Sequence, residues 1–321
     1  MRFDNDSHYN ARLRIPARIA AATAAATILM TACTDTGVDA GTQRGQIPVV
    51  IATTSILGDV VSQITDGGVD LRILIPSGVD PHDFAPSAQQ VASISAAELI
   101  VANGLGLEEG LTDILAQATS EGLTVIEAGS QVDPLTVSNG TDDSGLDPHF
   151  WQDPIRMKRA VQITASALEE IGVAGVERNA LDYQAELDAV DAEIASLLAP
   201  LPPERRVLVT NHDAFRYFAD RYGFEIIGTI IPGGSTLGEP SSADLAGLVQ
   251  VIIDNDVPAI FVENVGNPGL AEAIAAEVGR EIEVVQLISD ALGEPGSPTG
   301  TYLDMLRTNA GAIAGALGNQ D

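Results

Sequence analysis

The sequence is poor in cysteine and in basic residues, and both shortages limit what the chain can be. Its 321 residues include one cysteine, so no disulfide can form within the chain. Lys and Arg number 16 against 45 Asp and Glu, which gives a formal net charge of −29. We expect no nucleic-acid partner, because binding the phosphate backbone requires a basic surface. An acidic surface suits a soluble protein among cations, but it selects no particular cation.

The amino terminus has the pattern of an export signal. A cluster of arginines precedes an apolar run over residues 19–32, which is too short to span a bilayer and has the length of a secretory h-region. The run ends in MTAC, which resembles a bacterial lipobox, with lipid carried by Cys33. The alternative is an ordinary signal peptide with an incidental cysteine. We predict a lipoprotein signal peptide over residues 1–33 and a flexible tether over residues 34–46. The chain is then expected at the outer face of the cytoplasmic membrane, anchored by lipid.

An uninterrupted helical pattern lies slightly past the middle of the chain, over residues 176–199. Its apolar residues recur at alternating steps of four and three, which places one stripe along the whole helix. That stripe consists of Val176, Ala180, Tyr183, Leu187, Val190, Ile194 and Leu197. Gly175 precedes the pattern and Pro200 follows it, as expected at the ends of a helix. The helix would be roughly 36 Å long, longer than an ordinary crossover helix.

Short apolar strands alternate with helical segments on both sides of this helix. Strands that are apolar on both faces and separated by helices indicate parallel sheets. The predicted strands are 49–53, 71–75, 99–103 and 124–127, then 206–210, 225–230, 259–263 and 284–288. We predict an α/β fold of two four-stranded parallel-sheet lobes, 47–172 and 202–321, joined by one long rigid linking helix, 173–201. The alternative is one helix among several on a single sheet.

Four residues that can bind a metal each follow a strand or precede a helix. They are His82 in DPHDF, His149 in DPHFWQDP, His212 in TNHDAF and Asp290 in LISD. Taken singly, each is more often a surface residue or a helix cap. Ligands of two-lobed α/β proteins bind at strand ends, in the cleft between lobes, so we expect these four to converge. Three imidazoles and one carboxylate form a four-ligand site for a divalent transition metal.

Further residues near these four are candidates for supporting roles. Asp83, Asp153 and Asp213 lie close to a predicted ligand in the chain and could orient an imidazole through its second nitrogen. Helix capping is an equal alternative for all three. Glu263 ends a strand beside the predicted cleft, either as a hydrogen-bond acceptor or as a surface residue. Trp151 is expected to pack over the site and exclude water, or to belong to the core.

These segments together resemble the cluster A-I substrate-binding proteins of bacterial zinc and manganese importers. The resemblance is carried, in order between positions 49 and 317, by SGVDPHDFAPS, DPHFWQDP, NHDAFRYFADRYGF, EPSSADL, FVENVGNP and ISDALGEPGSPTGTYLDML. In that family one long helix joins two four-stranded α/β lobes, and the metal sits between them. The family's ligand positions fall on His82, His149, His212 and Asp290. The resemblance also implies docking on a membrane permease powered by an ATPase, near which the lipid on Cys33 would hold the protein. We expect a monomer.

The metal expected at this site is zinc, with manganese second and iron a further alternative. Manganese-selective members of the family often carry Glu at the third ligand position, where this chain has His212. A third imidazole favours zinc over the harder manganese ion. Zinc importers often insert a His-rich acidic loop, but the corresponding residues 136–147, TVSNGTDDSGLD, contain no histidine. This difference weakens the preference for zinc without reversing it.

Two other classes of protein could use the same residues. A zinc-dependent hydrolase needs an open coordination position and a general base, whereas four ligands fill a tetrahedral site. The sequence also lacks an HExxH pair and a GxSxG elbow. A lipoprotein adhesin with a structural metal would unfold when the metal is removed, while a carrier must survive empty. We therefore predict a metal carrier and not an enzyme.

Overall fold

The computed structural model describes residues 47–137, 145–265 and 268–318. The predicted signal peptide, the tether and Cys33 lie outside the described residues. Within the part of the chain that is described, no helix is both long and apolar enough to cross a membrane.

The strands form two four-stranded parallel sheets, one in each half of the described chain. The first has the order β2-β1-β3-β4 and contains β1 (Val49–Ala52), β2 (Asp70–Ile73), β3 (Leu99–Ala102) and β4 (Val125–Glu127). The second has the order β6-β5-β7-β8 and contains β5 (Val207–Thr210), β6 (Glu225–Thr229), β7 (Ala259–Glu263) and β8 (Glu283–Leu287). The central strands β3 and β7 are buried throughout, as strands covered on both faces must be. The predicted α/β class with two four-stranded parallel sheets is confirmed.

Helices separate the strands and one of them connects the two sheets. The helices are α1 (Ser55–Thr65), α2 (Ala88–Ile94), α3 (Thr112–Ser120), α4 (Pro154–Glu170), α5 (Val176–Leu198), α6 (Arg216–Tyr222), α7 (Ser242–Asp254), α8 (Gly269–Glu277) and α9 (Tyr302–Gly318). We call the first sheet with α1 to α4 the first lobe, and the second sheet with α6 to α9 the second lobe. Both lobes belong to one compact unit.

The long helix α5 is the connection between the lobes. It packs against α1 and α4 of the first lobe and against α9 of the second. Its buried side chains belong to one apolar core that continues into both lobes. The buried stripe is Val176, Ala180, Tyr183, Leu187, Val190, Ile194 and Leu198. A helix fixed to both lobes along its length resists a wide hinge motion.

The last position of the predicted stripe is corrected by the structure. Leu197 is 46% exposed, and the adjacent Leu198 is buried instead. The last two residues of the buried stripe, Ile194 and Leu198, are therefore four residues apart, and not three as predicted. Leu198 packs into the shared core, so contact with other elements, and not helical spacing alone, selects the buried leucine.

We predict that Leu187→Ala lowers the free energy of unfolding by about 2–5 kcal/mol, because it opens a cavity in the shared core. Leu187 is completely buried in the middle of α5. Urea unfolding of the metal-free protein measures the change. Leu197→Ala is the matched control on the same helix, and its effect should stay within about 0.5 kcal/mol. Equal losses in the two variants would contradict the assigned buried face.

Candidate metal centre

The four predicted ligands lie together in the interior, between the lobes. One ligand atom from each of His82, His149, His212 and Asp290 lies within 4.8 Å of the others, and all four residues are buried. The Nε2 atom of His149 is 3.4 Å from that of His82 and 3.2 Å from that of His212. The Nε2 atom of His212 is 3.4 Å from Asp290 Oδ2. Ligands around a tetrahedral zinc ion are separated by roughly 3.3 Å, so these spacings fit one small cation.

Both lobes contribute to this cluster through the loops after their strands. His82 lies in the loop after β2 and His149 in the loop after β4, both in the first lobe. His212 follows β5 and Asp290 follows β8 in the second lobe. Parallel strands end at the same edge of a sheet, so the loops of each lobe carry their ligands toward the cleft. The site is complete only when the lobes face each other.

Two of the three imidazoles are held by a carboxylate on the side away from the cluster. His149 Nδ1 is 2.7 Å from Asp147 Oδ1, which also accepts the His149 backbone N–H at 2.9 Å. His212 Nδ1 is 2.6 Å from Glu263 Oε2, and Glu263 Oε1 accepts the His212 backbone N–H at 3.0 Å. These contacts favour the tautomer with a proton on Nδ1, which leaves the Nε2 lone pair free for a metal. Both rings are therefore oriented before any ion arrives.

The other two ligands have unused hydrogen-bonding atoms. His82 Nδ1 is buried and makes no hydrogen bond within the described residues. Neither oxygen of Asp290 has a hydrogen-bond partner in the same part of the chain. Buried polar atoms without partners are costly, and a bound cation would satisfy the carboxylate.

The environment shifts the pKa values of three ligands in different directions. Burial, together with the neighbouring His149 and His212, lowers the pKa of His82 to about 2. Burial also disfavours the charged form of His212, but Glu263 and Asp290 outweigh it and raise the pKa of His212 to about 9. Burial raises the pKa of Asp290 to about 6. Protons and a metal therefore compete for the same nitrogens, so metal binding at this site depends on pH.

Trp151 lies against the cluster and connects it to the opposite lobe. Its ring meets the ring of His149 edge-on, with the centroids 5.2 Å apart. Its Nε1–H donates to the backbone oxygen of Ser289, next to Asp290, at 2.7 Å. The Tyr302 hydroxyl donates to the Trp151 backbone oxygen. Trp151 therefore covers His149 and fixes the Asp290 loop against the first lobe.

The remaining predictions of supporting residues have mixed outcomes. Glu263 contacts His212 as its position suggested. Asp83 is exposed, while Asp153 caps α4 through the backbone N–H of Ile155 and pairs with Arg156. Asp213 pairs with Arg216. None of these three aspartates bonds an imidazole in the described part of the chain, and Asp153 follows the alternative of helix capping. Asp153 and Asp213 contact nearby arginines instead, and Asp153 also accepts a backbone N–H. Asp83 faces solvent.

Sequence reasoning missed Asp147, although a signal for it was present. The tripeptide Asp-Pro-His occurs twice, at Asp80–His82 and Asp147–His149. In both copies an oxygen of the aspartate accepts the backbone N–H of the histidine, at 2.9 Å in each. The supporting carboxylate thus precedes the ligand by two residues, whereas the candidates chosen from the sequence all followed one.

Comparisons with known proteins agree with this fold and cluster. The protein-family model for the zinc-uptake complex component A, periplasmic (ZnuA), matches residues 50–316. The zinc-binding protein TroA of Treponema pallidum is 35% identical over 278 residues, covering 84% of this chain and 89% of TroA. The manganese-binding lipoprotein MntA of Bacillus subtilis is 31% identical over 294 residues, covering 88% of this chain and 94% of MntA.

A solved structure of periplasmic TroA from Treponema pallidum superimposes with a TM-score of 0.79 at 32% identity. The match covers 85% of this chain and 99% of that one. A manganese-bound periplasmic protein of Candidatus Liberibacter asiaticus matches with a TM-score of 0.75 at 25% identity, over 84% of this chain and 99% of that one. Because the family model spans most of the chain and these relatives match nearly their whole length, the chain belongs to the ZnuA family of periplasmic zinc-uptake components.

Proposed function

We propose that this protein is the extracytoplasmic metal-binding component of a bacterial ABC importer. It captures a divalent transition metal and delivers it to a membrane permease driven by an ATPase. The observation that supports this most directly is the buried cluster of three imidazole nitrogens and one carboxylate, all within 4.8 Å of one another. Membership of the ZnuA family and similarity to the zinc-binding TroA and the manganese-binding MntA point to the same activity.

Zinc is the first choice of metal, and manganese the second. Three neutral imidazoles suit zinc better than the harder manganese ion, which prefers oxygen ligands. Three spacings between ligand atoms, of 3.2 to 3.4 Å, are close to those around a tetrahedral zinc ion, while His149 Nε2 lies 3.9 Å from Asp290 Oδ1. Both oxygens of Asp290 lack other partners, so the carboxylate could also bind through two oxygens to manganese or iron. The manganese-binding MntA and the iron-binding YfeA of Yersinia pestis are relatives of this chain, so manganese and iron are the alternatives to zinc.

Carriage fits the site better than catalysis does. A catalytic zinc needs a coordination position that a substrate and water can reach. Here all four ligands are almost completely buried, and a small cavity of about 270 Å³ borders the cluster at His82. A cavity of about 800 Å³ lies along β6, and none of the four ligands lines it. The site can therefore enclose an ion but offers little room for a substrate beside it.

The first experiment is metal analysis of the mature protein, followed by competitive zinc and manganese titration of the stripped form. We expect about one zinc per chain and tighter binding of zinc than of manganese. Affinity should fall as the pH is lowered, because protons compete for the imidazole nitrogens. Circular dichroism should show that the stripped protein remains folded, which separates a carrier from a protein with a structural metal. Absence of tight binding by any divalent metal would refute the proposal.

We predict that Asp147→Asn weakens zinc binding by roughly 10–100-fold, because the amide cannot supply the charge that supports His149. Asp83→Asn is the matched control, since Asp83 also neighbours a ligand in the chain but is exposed and bonds no imidazole among the described residues. Zinc titration in competition with a chelator measures both variants. Equal affinities for the wild type and D147N would remove Asp147 from the site.

We further propose that the mature protein is held at the outer face of the cytoplasmic membrane by lipid on Cys33. The apolar run that ends in MTAC supports this proposal. The full chain expressed in a bacterium should partition into detergent, because an acylated cysteine carries an apolar anchor. Cys33→Ser should move the protein to the aqueous phase. Aqueous partitioning of the unaltered chain would indicate an ordinary signal peptide.

A further inference from the structure

The two Asp-Pro-His segments differ in what the aspartate does with its free oxygen. In the copy at Asp147, the carboxylate holds both the backbone and the ring of His149. In the copy at Asp80, Oδ1 accepts the His82 backbone N–H, but Oδ2 accepts a hydrogen bond from the Thr236 hydroxyl at 2.7 Å. Thr236 belongs to the second lobe, in the segment between β6 and α7. One oxygen of Asp80 is therefore bonded to the opposite lobe, and His82 Nδ1 has no hydrogen-bond partner among the described residues.

A second side-chain bond crosses between the lobes beside the first. The hydroxyl of Ser235 donates to Glu109 Oε1 at 3.0 Å. Glu109 lies in the loop after β3, which packs tightly on the loop that carries His82. At Gly110 a Cβ atom would lie 2.2 Å from the backbone oxygen of Phe84, so only glycine permits this approach. Both bonds thus join the His82 side of the site to one segment of the second lobe.

His82 borders a cavity that leads outward from the cluster. This cavity, of about 270 Å³, is lined by His82, Glu109 and Ser235, among others. Glu109 is exposed, and Ser235 and Thr236 are half-buried, so water can reach this side. The bond between Ser235 and Glu109 therefore lies at the rim of the path to the ligands, while Asp80 and Thr236, whose bond lies next to it, line a neighbouring cavity of about 330 Å³.

The opposite side of the cluster is fixed by buried contacts. The Trp151 Nε1–H donates across the lobes to the Ser289 backbone oxygen at 2.7 Å. The hydroxyl of Tyr217, on α6, donates to the Asp147 backbone oxygen at 2.7 Å. These donors are buried, whereas the Ser235–Glu109 bond is exposed and the Thr236–Asp80 bond is half-buried. Exposed hydrogen bonds open at lower free-energy cost than buried ones, because water replaces the lost partner.

We propose that the hydrogen bonds Thr236–Asp80 and Ser235–Glu109 form a latch between the lobes, and that opening this latch sets the rate at which the metal leaves along the cavity beside His82. This inference rests on the proposed metal-carrying function and adds its release route. His82 is the ligand that detaches first, since no carboxylate holds its ring and its loop is joined to the second lobe by the latch. His149, His212 and Asp290 keep their arrangement as the latch opens.

The test is the rate of zinc dissociation from Thr236→Val and Ser235→Ala proteins. Each loaded protein is mixed with an excess of chelator in a stopped-flow instrument, and formation of the zinc–chelator complex is followed. Thr236→Val should release zinc roughly tenfold faster, because valine keeps the shape but loses a hydrogen bond to a carboxylate. Ser235→Ala should act in the same direction, and the double variant should be faster than either. Zinc stoichiometry should stay at about one, since the ligands remain.

Thr308→Val is the matched control. Thr308 is an exposed residue of α9 whose hydroxyl reaches a backbone oxygen of its own lobe. Thermal unfolding of the metal-free variants identifies any that are damaged in folding. Glu109→Ala, at an exposed position, removes the acceptor of the second bond and should also release zinc faster. Wild-type release rates in T236V and S235A would overturn the latch. Slower release in T236V would also overturn it, because it would mean that a freed Asp80 strengthens His82 as a ligand. A wild-type protein that binds no zinc would instead refute the proposed function.

Discussion

The central feature of this structure is a buried cluster of electron-pair donors that a cation would stabilise. Three imidazole nitrogens and a carboxylate meet in a buried space, with the carboxylates of Asp147 and Glu263 behind two of the rings. Such groups are costly to bury without partners, and they are close enough to repel one another once they are deprotonated. Burial opposes a charge on His212, but the carboxylates of Glu263 and Asp290 favour one and raise its pKa to about 9. A divalent ion would supply positive charge at the same place, so folding prepares the site for an ion.

This arrangement requires a rigid relation between two lobes, because neither lobe holds a full set of ligands. The first lobe supplies His82 and His149, and the second supplies His212 and Asp290. The helix α5 maintains the relation by contributing one face to a core shared by both lobes. The Trp151 contact with Ser289 fixes the same relation close to the site. Movement that releases an ion must therefore be small, and the two bonds of the latch are where it can begin.

Local patterns predicted some supporting residues and misplaced others, for reasons that the contacts make clear. Asp153 and Asp213 stand near ligands in the chain, but each faces an arginine within one helical turn, and that partner is nearer than any imidazole. Leu197 fits a helical spacing of three, yet Leu198 meets the neighbouring helices. Asp147 was overlooked because its contact depends on the tight turn of Asp-Pro-His, which brings a carboxylate back to the ring two residues later. In each case competition among neighbours in space decided the outcome.

The sequence by itself determined the class of fold, the existence of a long connecting helix and the four residues that come together. Strands that are buried on both faces consist of apolar residues, so they can be recognised in the sequence. Parallel strands end at the same edge of a sheet, so the residues that follow them lie close together. Only the tertiary structure decided the order of strands in each sheet, the carboxylate behind His212, and the bonds from Ser235 and Thr236 to the other lobe. These features join residues far apart in the chain, so no local pattern encodes them. They depend on how the two lobes pack around α5.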